Sequence, residues 1–191
     1  MSNVLILTGS LRCPSYTCGL CRSLAAMLPE FGLQATVFDQ REIVLPLHDS
    51  IFHKAPADNP DPAVGKLVAL SEQASAFILA SPIYHNGPSG VLKNAMDHLA
   101  IPQFAHKPVG LVSHGGNRTS QAVDQMRIWV RGLLGHAIAT QVCTQAGDFE
   151  TTADGDPVVA DAAMLARMRR FCQELSVLSQ TMAVARPALT G

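Results

Sequence analysis

The chain has no surplus of either charge. Fourteen lysines and arginines stand against fifteen aspartates and glutamates, for a formal net charge of −1. Without a large single-sign field, neither nucleic acid nor an anionic membrane surface is expected as a partner. No apolar run reaches membrane-spanning length. The opening "MSNVLILTGS" lacks a basic segment, so it reads as a first strand rather than a signal peptide, and a cytoplasmic location is expected. The histidines form neither His-x-x-x-His nor His-Glu-x-x-His, which argues against a metal site. The five cysteines are odd in number and clustered, which is no disulfide framework, and reduced thiols are expected. Repeats, low-complexity tracts and dividing linkers are also missing, so residues 1–191 read as one domain.

What is present is an alternation of short β-rich runs with longer helical patterns. "NVLILT" (Asn3–Thr8), "QATVFDQ" (Gln34–Gln40), "SAFILASP" (Ser75–Pro82), "KPVGLVSHGG" (Lys107–Gly116) and "HAIATQVCT" (His136–Thr144) read as five strands. Helices are expected from Ser15 or Thr17 to Phe31, over Pro62–Ala74, Gly90–Ala100 and Gln121–Gly135, and from about Asp161 onward. In the last, Met164, Met168, Phe171, Leu175, Leu178 and Met182 form one apolar stripe. Arg41 to Pro62 and Gln145 to Pro157 read as loops. The pattern implies an α/β doubly wound parallel sheet with helices on both faces. In the five-stranded order 2-1-3-4-5, ligands bind at the carboxyl ends of the strands, at the switch point between strands 1 and 3.

The loops after strands 1, 3 and 4 therefore carry the functional signal. The first, "GSLRCPSYT", offers the hydroxyls of Ser10, Ser15 and Thr17, the Arg12 guanidinium and the N–H groups of a helix start, which together suit a phosphate. It is neither Gly-x-Gly-x-x-Gly nor a P-loop. The second, "SPIYHNGPSGVLKNAMDHL", has a strand-ending Pro82 and a run of turn formers that expose backbone groups able to meet a heteroaromatic edge, with Tyr84 placed to lie against a ring. Lys93 and Asp97 suit an i,i+4 pair. The third, "SHGGNRTSQ", has Gly115-Gly116 for close backbone approach, and Arg118 to meet a second anion.

Cys13, Cys18 and Cys21 have the spacing of a plant-type iron–sulfur ligand run, but no fourth cysteine lies nearby in sequence. Cys18 and Cys21 fall in the first turns of a helix and are read as small buried residues. Cys13 stays open as a redox-responsive thiol.

Three motifs occur in order: Gly-Ser-Leu-Arg-x-x-Ser, Ser-Pro-Ile-Tyr-x-Asn-Gly-x-x-Gly-x-Leu-Lys-Asn and Ser-His-Gly-Gly. Together they resemble the NADPH-dependent FMN reductase family of flavodoxin-like proteins, over Val4 to about Val142. The resemblance implies that Ser10, Arg12, Ser15 and Thr17 hold the FMN phosphate, with Tyr16 also among the cofactor-binding residues. It implies that Pro82, Ile83, Tyr84, His85, Asn86 and Gly87 contact the ring system, and that Gly115 and Gly116 line its other side, with Ser113 and His114 also among the cofactor-binding residues. Tyr84, His85 and Arg118 are candidates for shaping the nicotinamide site. The chain departs from the family pattern at Thr17, where asparagine is frequent, and at Pro14, where glycine is.

The activity so implied is hydride transfer from NAD(P)H to FMN and onward to an acceptor, with no side chain strictly catalytic. The acceptor is free flavin passed to a partner monooxygenase, or a quinone, azo compound or metal oxyanion reduced by a protein that keeps its FMN. A flavodoxin-type electron carrier is the alternative outside enzymes, and the near-zero net charge argues against it. The family likeness implies a homodimer or homotetramer. Val123, Met126, Ile128, Trp129, Val130, Leu133 and Leu134 surround most of their helix, which suits a second cover by a partner copy.

Overall fold

A computed structural model describes residues 2–189. Five parallel strands form the sheet: β1 (Ser2–Thr8), β2 (Leu33–Asp39), β3 (Ala76–Tyr84), β5 (Pro108–His114) and β6 (His136–Thr144). Their order is β2-β1-β3-β5-β6, the expected topology, with a two-residue strand β4 (Gly87–Pro88) antiparallel to the end of β3. The central strands β1, β3 and β5 are apolar on both faces because both are covered. Val4, Ile6, Ile78 and Val112 pack on one side beneath α1 (Tyr16–Met27) and α6 (Ala162–Leu189). Leu5, Leu7, Phe77 and Leu111 pack on the other beneath α2 (Pro62–Gln73), α3 (Gly90–Asp97) and α5 (Gln121–Gly132). Each fully buried aliphatic side chain contributes about 1.5–3 kcal/mol.

Several elements differ from expectation. The first helix tightens into a 3-10 turn at Leu28–Phe31, where Pro29 removes an N–H, and Gly32 closes it with φ of 74°. α5 ends at Gly132 rather than Gly135, and Leu134 takes a positive φ. A four-residue helix α4 (Ile101–Phe104) follows α3. Within Gln145–Pro157, read as loop, a 3-10 turn (Ala146–Asp148) leads into a hairpin of β7 (Phe149–Thr151) and β8 (Pro157–Val159). The long segment after β2 is a loop, as expected, with two short 3-10 turns.

The β5–β6 register slips between Val109 and Leu111. Side chains satisfy the displaced backbone of β6. Arg127 donates to the Ile138 and Ala139 carbonyls, and Glu174 accepts from the Ala139 and Thr140 N–H groups. Opposite the slip, Gly110 leaves room for Phe171 of α6, because a Cβ there would lie 2.2 Å from its ring. The α6 stripe of Met164, Met168, Phe171 and Leu175 is buried in this layer.

Candidate functional site

The three loops converge where β1, β3 and β5 end. Ser15 caps α1, its hydroxyl accepting from Cys18 N–H at 3.2 Å and donating to Ser10 Oγ at 2.8 Å. Both serines and Thr17 are buried, while Arg12 is exposed. Among the described residues the Arg12 guanidinium has no carboxylate partner. Arg41 nearby is engaged with Asp39 and with the Arg12 carbonyl. Loop 1 is locked to loop 3: Gly9 N–H donates to the Ala80 carbonyl, and Ser89 Oγ donates to the Gly9 carbonyl at 2.6 Å. A Cβ on Gly9 would lie 2.7 Å from Leu92 Cβ and from Ser89 Oγ.

After β3 the chain reverses in a tight hairpin, with His85 at φ of 49° and Asn86 at 63°. Gly87 pairs with Tyr84, and Gln125 Nε2 donates to the Asn86 carbonyl. Across the cleft, Gly115 N–H donates to the Thr144 carbonyl. A Cβ on Gly115 would lie 2.9 Å from Ile83 Cδ1, so loop 4 backbone rests against the Ile83 side chain.

Ser10, Arg12, Ser15, Tyr16, Thr17, Pro82, Ile83, Tyr84, His114, Gly115 and Gly116 line one cleft of about 300 Å³, joined by Ala146. His85, Asn86 and Gly87 lie outside this lining, at the hairpin, with His85 and Asn86 exposed. Ser113 is buried in the strand end below. Arg118 turns away from the cleft to pair with Asp148. The sequence reading missed the β6 side of the site. Ala146 forms part of the wall, and Phe149 packs on Tyr16 at 5.0 Å between ring centroids. It also missed Ser89, whose place one residue before a Gly-x-Leu helix start is the signature of a capping serine.

His114 stacks on Tyr16, with ring centroids 4.6 Å apart, and its Nδ1 lies 3.1 Å from Thr144 Oγ1. Burial pushes the imidazole pKa down to about 4, so it is neutral near neutral pH. Burial raises the Asp148 carboxyl, but the Arg118 hydrogen bonds outweigh it and hold the group below the usual carboxylate range. Asp148 also accepts from Gln145 N–H, which fixes the turn that carries Ala146. Cys18 and Cys21 are buried, and burial pushes both thiols up, most for Cys21. Cys13 is exposed. Lys93 pairs with Asp97 on α3 as expected.

A sequence model of the NADPH-dependent FMN reductases matches residues 2–148. An FMN-dependent NADPH-azoreductase of Staphylococcus aureus (strain USA300) is 35% identical over 175 residues, covering 90% of this chain and 92% of that protein. The enzyme of the same name from Staphylococcus saprophyticus is 34% identical over 174 residues, with the same coverage. The fold matches FerB, a flavoenzyme NAD(P)H:(acceptor) oxidoreductase from Paracoccus denitrificans, with a TM-score of 0.77 and 18% identity over 95% of this chain and 99% of that one. The chain belongs to the NADPH-dependent FMN reductase family, whose cofactor is FMN and whose reductant is NADPH.

Proposed function

We propose that the chain keeps FMN in the cleft and uses NADPH to reduce small acceptors of the azo or quinone class. The observation that carries this is one cleft at the switch point of the sheet that gathers the loop 1 hydroxyls and Arg12 together with Pro82, Ile83, Tyr84, Gly115 and Gly116. The hydroxyls of Ser10, Ser15 and Thr17, the free N–H groups of the α1 start and the unpaired Arg12 suit a phosphate monoester. Pro82, Ile83 and Tyr84 against Gly115 and Gly116 suit a planar ring. When bound, FMN supplies the capacity to take up and release electron pairs. The residues supply position. Neutral His114, stacked on Tyr16, holds one wall, and Tyr84 borders the open side. No side chain is assigned an acid–base role, and the azo acceptor class comes from the relatives.

A second copy covers the face where Leu11, Val44 and Leu47 line a hollow of about 500 Å³; Leu47 is 88% exposed. A net charge of −1 offers little repulsion between copies. On α5, Val123, Met126 and Val130 are used by the chain's own core, leaving Ile128 outward. Equilibrium sedimentation of wild type and Leu47→Asp tests this face, with a dimer expected to become a monomer. A cytoplasmic location, a reducing compartment, suits the five free cysteines. No helix among the described residues is long and apolar enough to cross a membrane.

The test is steady-state NADPH oxidation with a quinone or azo acceptor. A yellow protein with ping-pong kinetics supports retained FMN. A colourless protein with sequential kinetics in NADPH and FMN would instead make flavin a released product, destined for a partner such as a monooxygenase.

A further inference from the structure

Beside the cleft lies a second hollow of about 430 Å³, at the outer edge of β6. Its lining includes two guanidinium groups, Arg118 and Arg167, and no carboxylate. Gln141 and Cys143 of β6 and the first turn of α6 complete it. The arginines are held by one edge each. Arg118 gives Nε and one Nη to the buried Asp148, with Asp161 at 3.5 Å from that same Nη2. Arg167 gives Nε to the Gln141 carbonyl at 2.5 Å. Among the described residues, Arg118 Nη1 and both Arg167 Nη atoms have no hydrogen-bond partner. Guanidinium edges left free in this way match a tetrahedral oxyanion.

The hollow is tied to the cleft through the chain, since Arg118 stands two residues after Gly116 of the cleft wall. Asp148, which holds Arg118, stands two residues after Ala146 of the cleft wall, and its carboxylate fixes the turn between them. A ligand lying in the cleft can therefore carry an anionic group into the hollow. Of the carboxylates around it, Asp148 and Asp161 face the held edge of Arg118 and also accept from Gln145 N–H and Met164 N–H, and Asp124 is bonded by Ser120 Oγ.

We propose that Arg118 and Arg167 form an oxyanion subsite, taking the 2′-phosphate of NADPH or the sulfonate of an anionic aromatic acceptor. The proposal deepens the NADPH:acceptor reading and rests on it. Two ligands share this chemistry, and the test separates them.

FMN-loaded wild type, Arg167→Gln and Arg118→Lys are titrated calorimetrically with adenosine 2′,5′-bisphosphate and with 5′-AMP. Turnover is measured with NADPH and NADH, and with a sulfonated azo dye and its unsulfonated parent. For the 2′-phosphate, Arg167→Gln weakens the bisphosphate and raises KM for NADPH about tenfold, while 5′-AMP binding, KM for NADH and FMN affinity hold. For the sulfonate, only KM for the sulfonated dye rises. Arg118→Lys keeps the Asp148 charge pair but loses the fork, so it shows the same selectivity in smaller degree. If Arg167→Gln changes none of these quantities in a folded, FMN-loaded protein, the subsite is refuted. Failure of the NADPH:acceptor reading looks different: wild type would then oxidise neither nucleotide, whatever the calorimetry shows.

Discussion

Removing the Arg12 guanidinium probes the polar end of the cleft. Arg12 is exposed and lacks a carboxylate partner among the described residues, so Arg12→Ala should not cost the fold an ion pair. It leaves the buried Ser10–Ser15 hydroxyl pair and the α1 cap in place. A charge-assisted hydrogen bond contributes about 1.5–3 kcal/mol, so FMN affinity should fall roughly tenfold to a hundredfold. Riboflavin lacks the phosphate and should bind wild type more weakly, yet bind Arg12→Ala almost as well as wild type. Quenching of flavin fluorescence on titration into apoprotein measures all four affinities. Equal losses for FMN and riboflavin would place Arg12 against the ring, and unchanged FMN affinity would remove it from the site.

Other consequences follow from named contacts. Gly115→Ala must displace Ile83, since its Cβ would lie 2.9 Å from Ile83 Cδ1; FMN affinity should drop by about tenfold, while the thermal midpoint stays close to wild type. Gly110→Ala drives a Cβ into the Phe171 ring and should cost about 1–3 kcal/mol by urea unfolding, with little change in flavin affinity once folded. His114 titrates at about 4 against 6.5 when unfolded, so the unfolded chain binds the extra proton between those values. Stability therefore rises with pH across that window, by up to about 3 kcal/mol, and His114→Gln should flatten this part of the profile. Lys107 is buried with its Nζ on the Ser71 carbonyl, and burial pushes it down to about 8 from 10.5. Its contribution likewise makes stability rise with pH from about 8 to 10.5, a slope that Lys107→Met should lack. Native protein should show one thiol reacting fast with a disulfide reagent, Cys13, and Cys13→Ser should turn over normally.

The sheet was legible because its central strands are buried on both faces, which leaves near-continuous apolar runs such as Val4–Leu7 and Phe77–Ala80. The helix start at Ser15 was legible from capping chemistry. The β7–β8 hairpin was not, since its strands have three residues each and Glu150 and Thr151 face solvent, too little for an alternation to register. The turn after β3 was legible from its turn formers, but β3 runs past Pro82 to Tyr84 and pairs there with β4, and the positive φ values fall on His85 and Asn86 rather than on glycine. Arg118 was expected at the cleft because it follows Gly115-Gly116. Its partner Asp148 lies thirty residues on, beyond any local pattern, and only the folded chain brings them together.

The most direct measurement of the central claim is anaerobic mixing of the FMN-loaded protein with NADPH, followed by the flavin's visible absorbance. The account predicts stoichiometric bleaching, far faster than with free FMN, and recovery of the absorbance on adding an azo or quinone acceptor. Protein that holds FMN yet shows no bleaching with NADPH or NADH would contradict it.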